Sequence, residues 1–395
     1  MIVSLIASLQ ACSSSDAQQK NTNGVTSQSS GVLLESNVIN IPNALSKASQ
    51  VTQFDYTMNA VTGEITTARA QLFEPIGKAP DQGYPLVVWA HGTTGISNAC
   101  APSLSFQNFG NPIAINGLLE LGYAVLAPDY EGFGTPTIHP YYLRSSHADA
   151  VLASIPAAHQ VNKTKLSNEW AVIGHSQGGH VALAAARAEH DPSFPLKAVI
   201  ALAPGTDLKP LSDKAFAAID KAINEGNLNS AAEQTFYLNV YGVYVAHAIK
   251  LVIPSLELNA LFGAEVADIV DQATDESTCG DYARSVQKLL AGHLRGGGNL
   301  ENFGGLRRDW HTLPALTEFL KNEEFGDEAQ VAPLLIIQGD ADHQIPVAAT
   351  TEFVNKQREL GTDVTYEIIK GARHRDVALD EFSVALDWLT THFAP

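Results

Sequence analysis

A serine bracketed by glycines is the first candidate for chemistry in this sequence. Residues 174–178 read GHSQG and match the pattern G-x-S-x-G, between a strand-like run (EWAVIG) and a helix-like run (GGHVALAAARAE). In such a turn the serine backbone is strained, and side chains at both flanking positions would collide. The pattern therefore predicts Ser176 as an exposed nucleophile, with Gly174 and Gly178 as the glycines of its elbow.

A serine hydroxyl is a weak nucleophile at neutral pH, so it needs a base and a carboxylate that orients the base. The segment GDADHQIP follows a strand-like run, 334–337, and resembles the G-x-x-D-x-x-[VI]-P turn that carries the acid in α/β-hydrolases. The resemblance implies that Asp342 is the acid. Asp340 is the alternative, and its other role would be to bind the turn backbone.

Three histidines compete for the role of base. His374 follows the last strand-like run, 364–369, and the order Ser, Asp, His is that of α/β-hydrolases. His343 lies on the turn of the acid itself, and His392 lies at the far end of the terminal helix. We therefore predict His374 as the catalytic base.

The run LVVWA leads into His91-Gly92-Thr93, which resembles the H-G motif after the third strand of α/β-hydrolases. In that family a small residue here lets the backbone approach the substrate oxygen. The resemblance implies that the backbone N–H groups of Thr93 and Gln177 form an oxyanion hole. His91 and His175 are interpreted as packing or hydrogen-bonding residues.

Three further stretches are similar to the secretory lipase family, which comprises fungal lipase A-like enzymes and their bacterial relatives. They are NACAPS at 98–103, DYEGFG at 129–134 and HPY at 139–141. The resemblance extends from about residue 55 to the end of the chain. It implies hydrolysis of carboxylic esters, with fatty-acyl groups held against a helical cap.

An α/β architecture must position these residues. Apolar runs of strand length occur at 86–90, 123–127, 169–173, 198–203 and 334–337, and 364–369 alternates as a final strand. Helical spacing occurs between most of them, at 147–159, 179–189 and 348–360. This alternation predicts a mostly parallel sheet with helices on both faces, preceded by an antiparallel hairpin over 54–73.

The alternation of strand-like and helix-like runs stops between 207 and 330, a stretch too long to be a loop. Helical patterns at 211–224, 231–249, 261–274 and 282–291 predict a helical cap inserted between two parts of a hydrolase core, 32–206 and 331–395. The very apolar part, 236–253, is interrupted by polar residues that would be costly in lipid. It is interpreted as the buried core of the cap, as a wall that holds acyl chains, or as both.

The N-terminus resembles an export signal. Residues 1–11 are short and apolar, like the core and cleavage region of a secretory signal, and Leu9-Gln10-Ala11-Cys12 resembles a bacterial lipobox. This predicts a signal peptide, lipid attachment at Cys12, a flexible tether over 12–31 and an exported protein, anchored in the outer membrane or otherwise periplasmic or secreted. An ordinary signal peptide with an incidental cysteine is the alternative.

Two cysteines remain, Cys100 and Cys279. An exported protein can oxidise them, and a disulfide would tie the loop after the predicted oxyanion hole to the cap. The alternative is two unrelated thiols.

Composition excludes several classes of protein. The 395 residues are 45% hydrophobic, which excludes wholesale disorder, and the formal net charge of -18 argues against nucleic acid as a partner. There is no H-E-x-x-H, C-x-x-C or phosphate-binding glycine motif, so no metal or cofactor is expected.

These patterns predict a lipid-anchored serine esterase or lipase that acts on small-molecule or lipid esters, with polyesters among the candidate substrates. A peptidase or acyltransferase with the same triad is one alternative. A non-catalytic surface lipoprotein with a hydrolase fold is the other. The sequence makes no prediction of oligomeric state.

Overall fold

The computed structural model describes residues 29–395 apart from 105, 107–110, 136, 162–164, 276–278 and 326–327. The predicted signal peptide and Cys12 lie outside the described residues and stay predictions. The last residues of the predicted tether bond to the sheet: the Gly31 N–H donates to the Thr57 carbonyl, and the Thr57 hydroxyl donates to the Ser29 carbonyl.

Nine strands form one sheet in the order β1-β2-β3-β5-β4-β6-β7-β8-β9. They are β1 Leu33–Ile39, β2 Ala48–Asn59, β3 Ile65–Pro75, β4 Tyr84–Ala90, β5 Ala124–Pro128, β6 Leu166–His175, β7 Leu196–Leu202, β8 Leu334–Gly339 and β9 Val364–Ile369. The first three strands and the β3–β5 pair are antiparallel, and the pairs from β5 to β9 are parallel. The mostly parallel sheet and the β2–β3 hairpin are therefore confirmed.

Eleven α-helices accompany the sheet in the described residues. They are α1 Pro112–Glu120, α2 Arg144–Gln160, α3 Gln177–Arg187, α4 Leu208–Asn224, α5 Leu228–Val252, α6 Ala264–Ala267, α7 Asp281–Arg295, α8 Thr317–Glu323, α9 Val347–Glu359, α10 Asp376–Leu379 and α11 Phe382–His392. In the described part of the chain, none of them is long and apolar enough to cross a membrane.

The central strand β4 shows why the sheet must be covered on both faces. All seven of its residues are buried. Leu86 and Val88 belong to the hydrophobic cluster that includes residues of α2, α3 and α9, whereas Val87 and Trp89 belong to the one that includes residues of α1, α10 and α11. Because side chains alternate between the faces of a strand, a continuous apolar run needs an apolar layer on each side.

The segment between β7 and β8 is mostly helical and supplies most of a third hydrophobic cluster, to which α5 contributes Val240, Val243 and Ile249. We call this segment the cap. The helical pattern over 261–274 does not form one continuous helix. Phe262 forms an isolated bridge with Leu306, and the Gly263 N–H donates to the Gly305 carbonyl, so the chain is extended there. The Leu261 carbonyl accepts from the Arg307 N–H and the Val266 N–H donates to the Gly304 carbonyl, whereas a continuous helix would pair both groups internally. Only the short α6 and 3-10 turns form.

Candidate active site

Ser176 lies in the sharp turn between β6 and α3, with φ 60° and ψ −119°. A backbone with this φ is strained for a residue with a side chain. The turn is possible because Gly174 and Gly178 lack a Cβ: one on Gly174 would fall on the Gly178 carbonyl, and one on Gly178 on the Ala90 carbonyl. The hydroxyl is thereby held at the carboxyl edge of the sheet, with 6% of the residue exposed.

The structure brings His374 and Asp342 together from two neighbouring loops. His374 follows β9, Asp342 follows β8, and His374 Nδ1 is 2.7 Å from Asp342 Oδ2. Their side chains are 6% and 0% exposed. Burial by itself raises the pKa of the Asp342 carboxyl, but the adjacent His374 and the hydrogen bonds to the carboxylate outweigh it, so that the pKa is lowered. A permanently ionised carboxylate is suited to orient an imidazole and to stabilise its protonated form.

The Asp342 carboxylate is saturated with donors. Oδ1 accepts from the backbone N–H groups of Gln344 and Ile345, at 2.8 and 3.0 Å. Oδ2 accepts from Gln338 Nε2 at 2.9 Å as well as from His374. These bonds immobilise the carboxylate and account for the sequence of the turn.

The competing residues have other partners. Asp340 Oδ1 accepts the Gly371 backbone N–H at 2.6 Å and so ties the acid turn to the loop of the histidine. His343 Nδ1 is 2.9 Å from Glu233 Oε2 on α5. His392 Nδ1 donates to the Trp388 carbonyl within the terminal helix. None of the three is bonded to Ser176 or His374 in the described structure.

His91 and His175 make packing and hydrogen-bonding contacts, as interpreted from the sequence. The His91 ring stacks on Tyr130 with 4.0 Å between centroids, and burial lowers its pKa to about 4. His175 Nε2 donates to the His374 carbonyl at 2.7 Å, and burial lowers the pKa of His175 to about 3. His175 thus stays neutral and supports the loop of the predicted base.

Two spaces meet at Ser176. The first, which we call the outer cleft, also contains His374 and Thr93 and opens past Pro112 and Ile113. The second, which we call the cap cavity, comprises about 870 Å³ of space between α4, α5 and the acid turn, part of it open to solvent. Its apolar lining comprises Leu208, Leu211, Ala215, Leu238, Val245, Ile249, Leu261 and Leu306, among others. Tyr241 and Gln344 line both spaces, and the Tyr241 hydroxyl donates to Gln344 Oε1 at 2.6 Å.

The predicted oxyanion-hole residues flank the nucleophile. Thr93 lines the outer cleft after β4, and Gln177 is the first residue of α3, where backbone N–H groups have no partner within the helix. A Cβ on Gly92 would lie 3.8 Å from Ser176 Cβ, so this loop approaches the nucleophile closely.

The Gln177 side chain is a feature that sequence reasoning missed. It is fully buried, and its Nε2 is 2.6 Å from His139 Nε2 and 3.2 Å from His147 Nε2. The HPY stretch at 139–141 was the only sequence signal for this contact, and the motif alone does not indicate that its histidine binds Gln177.

Cys100 and Cys279 are joined in the structure by a disulfide with 5.2 Å between their Cα atoms. It connects the segment after the Thr93 loop to the cap. Among the described residues there is no group of three or more His, Cys, Asp or Glu side chains that could hold a metal ion.

The chain was compared with family models, with curated proteins and with solved structures. The model of the family described as alpha/beta hydrolase matches residues 87–385. Among curated proteins, none matches the sequence significantly. The rice cell wall degrading esterase LipA from Xanthomonas oryzae superposes with a TM-score of 0.68 at 20% identity, covering 92% of this chain and 98% of that one.

Two further structures are similar. Lipase A from Candida antarctica in its closed state has a TM-score of 0.69 at 16% identity over 92% of this chain and 82% of its own. A putative hydrolase from Legionella pneumophila has a TM-score of 0.71 at 17% identity over 91% and 98%. These likenesses concern the fold. The family match spans most of the chain and includes the elbow, the acid turn and the histidine loop, and on that basis the chain belongs to the alpha/beta hydrolase family.

Proposed function

We propose that this protein is a serine ester hydrolase in which Ser176, His374 and Asp342 form the catalytic triad. The observation that carries the proposal is the convergence of a strained, glycine-supported serine and a buried His–Asp pair on one cleft. Fold similarity to an esterase and a lipase agrees with it but does not carry it.

The geometry supports a two-step reaction. His374 takes the proton from the Ser176 hydroxyl as the oxygen bonds to the ester carbonyl carbon, and Asp342 stabilises the imidazolium through its 2.7 Å bond. The backbone N–H groups of Thr93 and Gln177 hold the negative oxygen. The intermediate collapses, the alcohol leaves with the proton from His374, and water then releases the acid from the acyl-enzyme by the same steps.

The two spaces at Ser176 suggest which part of an ester goes where. The cap cavity has a mostly apolar lining, so it suits an acyl chain. The outer cleft contains polar residues, including Thr93 and Arg375, and suits the alcohol part. Medium or long acyl esters, including aliphatic polyester segments, are therefore the proposed substrate class.

Ser176→Ala tests this function. Purified wild-type protein and the variant are assayed on p-nitrophenyl acetate, butyrate, octanoate and palmitate and on aliphatic polyester oligomers. We expect activity to fall by at least about 10³-fold, since loss of the nucleophile leaves only binding and the oxyanion hole. Labelling by a fluorophosphonate probe is expected for the wild type only.

Ester hydrolysis by Ser176→Ala at the wild-type rate would disprove the proposed nucleophile. Lack of turnover and labelling in the wild type would favour a non-catalytic binding protein instead. Cleavage of peptide amides in preference to esters would favour a peptidase.

A further inference from the structure

The tripeptide His139-Pro140-Tyr141 contacts both residues assigned to the oxyanion hole. The Tyr141 hydroxyl is 2.7 Å from Thr93 Oγ1, and His139 Nε2 is 2.6 Å from Gln177 Nε2. Thr93 follows β4 and Gln177 begins α3, so the two sites belong to different loops. One short segment therefore contacts the side chains of both residues whose backbone N–H groups are the proposed donors.

A backbone bond strengthens the connection to the Thr93 loop. The His139 N–H donates to the Ile96 carbonyl at 2.9 Å, three residues beyond Thr93. Tyr141 is 2% exposed and His139 is fully buried, so neither hydrogen bond has to compete with bulk water. The segment is thus bonded to this loop at two points.

The proton positions on His139 can be worked out from its partners. His139 Nδ1 is 2.8 Å from the Glu131 carbonyl, which only accepts, so Nδ1 carries the proton. In a neutral imidazole Nε2 then has a free lone pair and accepts a hydrogen from the Gln177 amide. Burial lowers the pKa of His139 to about 3, which keeps the ring neutral over the working range of the protein.

A second imidazole lies close to the Gln177 amide. His147 Nε2 on α2 is 3.2 Å from Gln177 Nε2 and 3.3 Å from His139 Nε2. Both imidazoles therefore contact one NH₂ group, which donates to His139 and, in the tautomer of His147 with Nε2 unprotonated, also to His147. Since the Gln177 side chain and N–H share one Cα, restraining the former limits the orientations of the latter.

We propose that His139-Pro140-Tyr141 is a brace that sets the separation and direction of the Thr93 and Gln177 N–H groups. His139 and Tyr141 are positioning residues: they act on the transition state only through the donors that they hold. The proposal rests on the proposed function, because it takes these N–H groups to be the oxyanion donors. Charge develops on the oxygen in the transition state, so a misplaced donor lowers kcat more than it changes KM.

Two variants break the bonds separately. Tyr141→Phe keeps the ring and removes the hydroxyl that contacts Thr93. Gln177→Met keeps the backbone N–H and the side-chain length but removes the amide that His139 and His147 hold. Tyr244→Phe is the matched control, because Tyr244 is also buried and packs edge-on against Tyr141 at 5.6 Å, lines neither space, and has no hydroxyl hydrogen bond in the described structure.

Two readouts separate positioning from general damage. The first is kcat and KM for p-nitrophenyl butyrate. The second is the inhibition constant of an alkyl trifluoromethyl ketone: Ser176 Oγ bonds to the carbonyl carbon, its proton passes to His374, and the carbonyl oxygen becomes an oxyanion. Circular dichroism and thermal unfolding show whether each variant is folded.

We expect each single variant to lose about 10-fold or more in kcat with KM changed less than about 3-fold, because a mispositioned donor retains part of its effect. The ketone inhibition constant should rise by a similar factor, and the losses should multiply in the double variant. Tyr244→Phe should match the wild type. If Gln177→Met fails to fold, Tyr141→Phe decides alone.

A kcat for Tyr141→Phe equal to that of the control, or a weakened KM with unchanged ketone binding, would overturn the brace. These results leave the proposed function intact, provided that the wild type hydrolyses esters through Ser176. Absence of Ser176-dependent turnover in the wild type would instead refute the proposed function and the brace together.

Discussion

At the scale of single residues, the hydrogen-bond partners of Asp342 require a carboxylate at this position. Four donors converge on its two oxygens, two from the backbone of its own turn, one from Gln338 and one from His374. An ionised carboxylate, which only accepts, satisfies all four. No neutral side chain of the same shape can do so.

Asp342→Asn tests this requirement for a carboxylate. In either orientation, the NH₂ group of the introduced asparagine points at other donors. These are His374 and Gln338 on one side, or two backbone N–H groups on the other. The imidazole should turn or change tautomer, and we expect kcat to fall by about 10³ to 10⁴-fold. The measurement is kcat on p-nitrophenyl butyrate across pH 6 to 9.

Asp340→Asn is the matched control, since it makes the same chemical change two residues away on the same turn. Asp340 accepts the single Gly371 N–H, which the Asn oxygen can also accept. Its kcat should stay within about 3-fold of the wild type, because a surface bond of this kind contributes little. A larger loss in Asp340→Asn than in Asp342→Asn would reverse the assignment of the acid.

At the scale of elements, α5 joins the cap to the turn that carries Asp342, the proposed acid. Its Tyr241 bonds to Gln344, and its Glu233 bonds to His343, the two residues directly after Asp342. The same helix lines the cap cavity with Leu238, Val245 and Ile249. From Tyr241, beside Ser176, to Ile249 the helix advances two turns, about 12 Å at 1.5 Å per residue. The helix is thus both a support of the acid turn and a wall of the proposed acyl site.

Val245→Phe tests the second role. Val245 lies one turn beyond Tyr241 on the cavity face, so a phenyl ring there shortens the space that an acyl chain can fill. We expect kcat/KM for p-nitrophenyl palmitate to drop by about 10-fold or more, while that for the butyrate changes little, since displaced methylenes lose roughly 0.8 kcal/mol each.

The control is Val252→Phe on the same helix, where the side chain is 37% exposed. It should leave the chain-length profile as it is. An equal loss on all esters in Val245→Phe would show that the ring disturbs the triad, and an unchanged profile would place the acyl chain elsewhere.

At the scale of the whole molecule, burial of ionisable groups sets the response to acid. Burial lowers the pKa of His91 to about 4 and of His139, His175 and His180 to about 3. Burial also raises the pKa of two carboxyls, Asp129 and Glu131, to about 7. Below pH 6.5 the buried histidines bind fewer protons in the folded chain than in the unfolded chain. The two buried carboxyls bind more protons in the folded chain.

The histidines outnumber the carboxyls, so the free energy of unfolding should fall as the pH drops from 6.5 towards 4. Each unmatched histidine contributes about 1.4 kcal/mol per pH unit, so the net slope should be roughly 1 to 4 kcal/mol per pH unit. Urea unfolding at pH 7, 6 and 5 measures it. A constant free energy of unfolding over this range would show that these imidazoles are not held neutral.

Several features of this molecule could be predicted from the sequence because their information is local. The glycines around Ser176, the acid turn and the apolar strands each depend on residues that are neighbours in the chain. The helical pattern over 261–274 does not form a continuous helix because its first residues pair with backbone groups more than thirty positions away. The strand β1 was not predicted, since its residues are mostly exposed and lack an apolar pattern.

The sequence by itself predicted most of the alternating strands and helices, the strand-to-helix turn at Ser176 and the candidate triad residues, because periodicity and turn chemistry act over a few residues. The tertiary structure decided which loops meet. The strand order β5-β4-β6 places the loops of His139, Thr93 and Ser176 side by side, although they are widely separated in the chain. That order results from packing both faces of a buried sheet, a property of the whole chain that no local pattern contains.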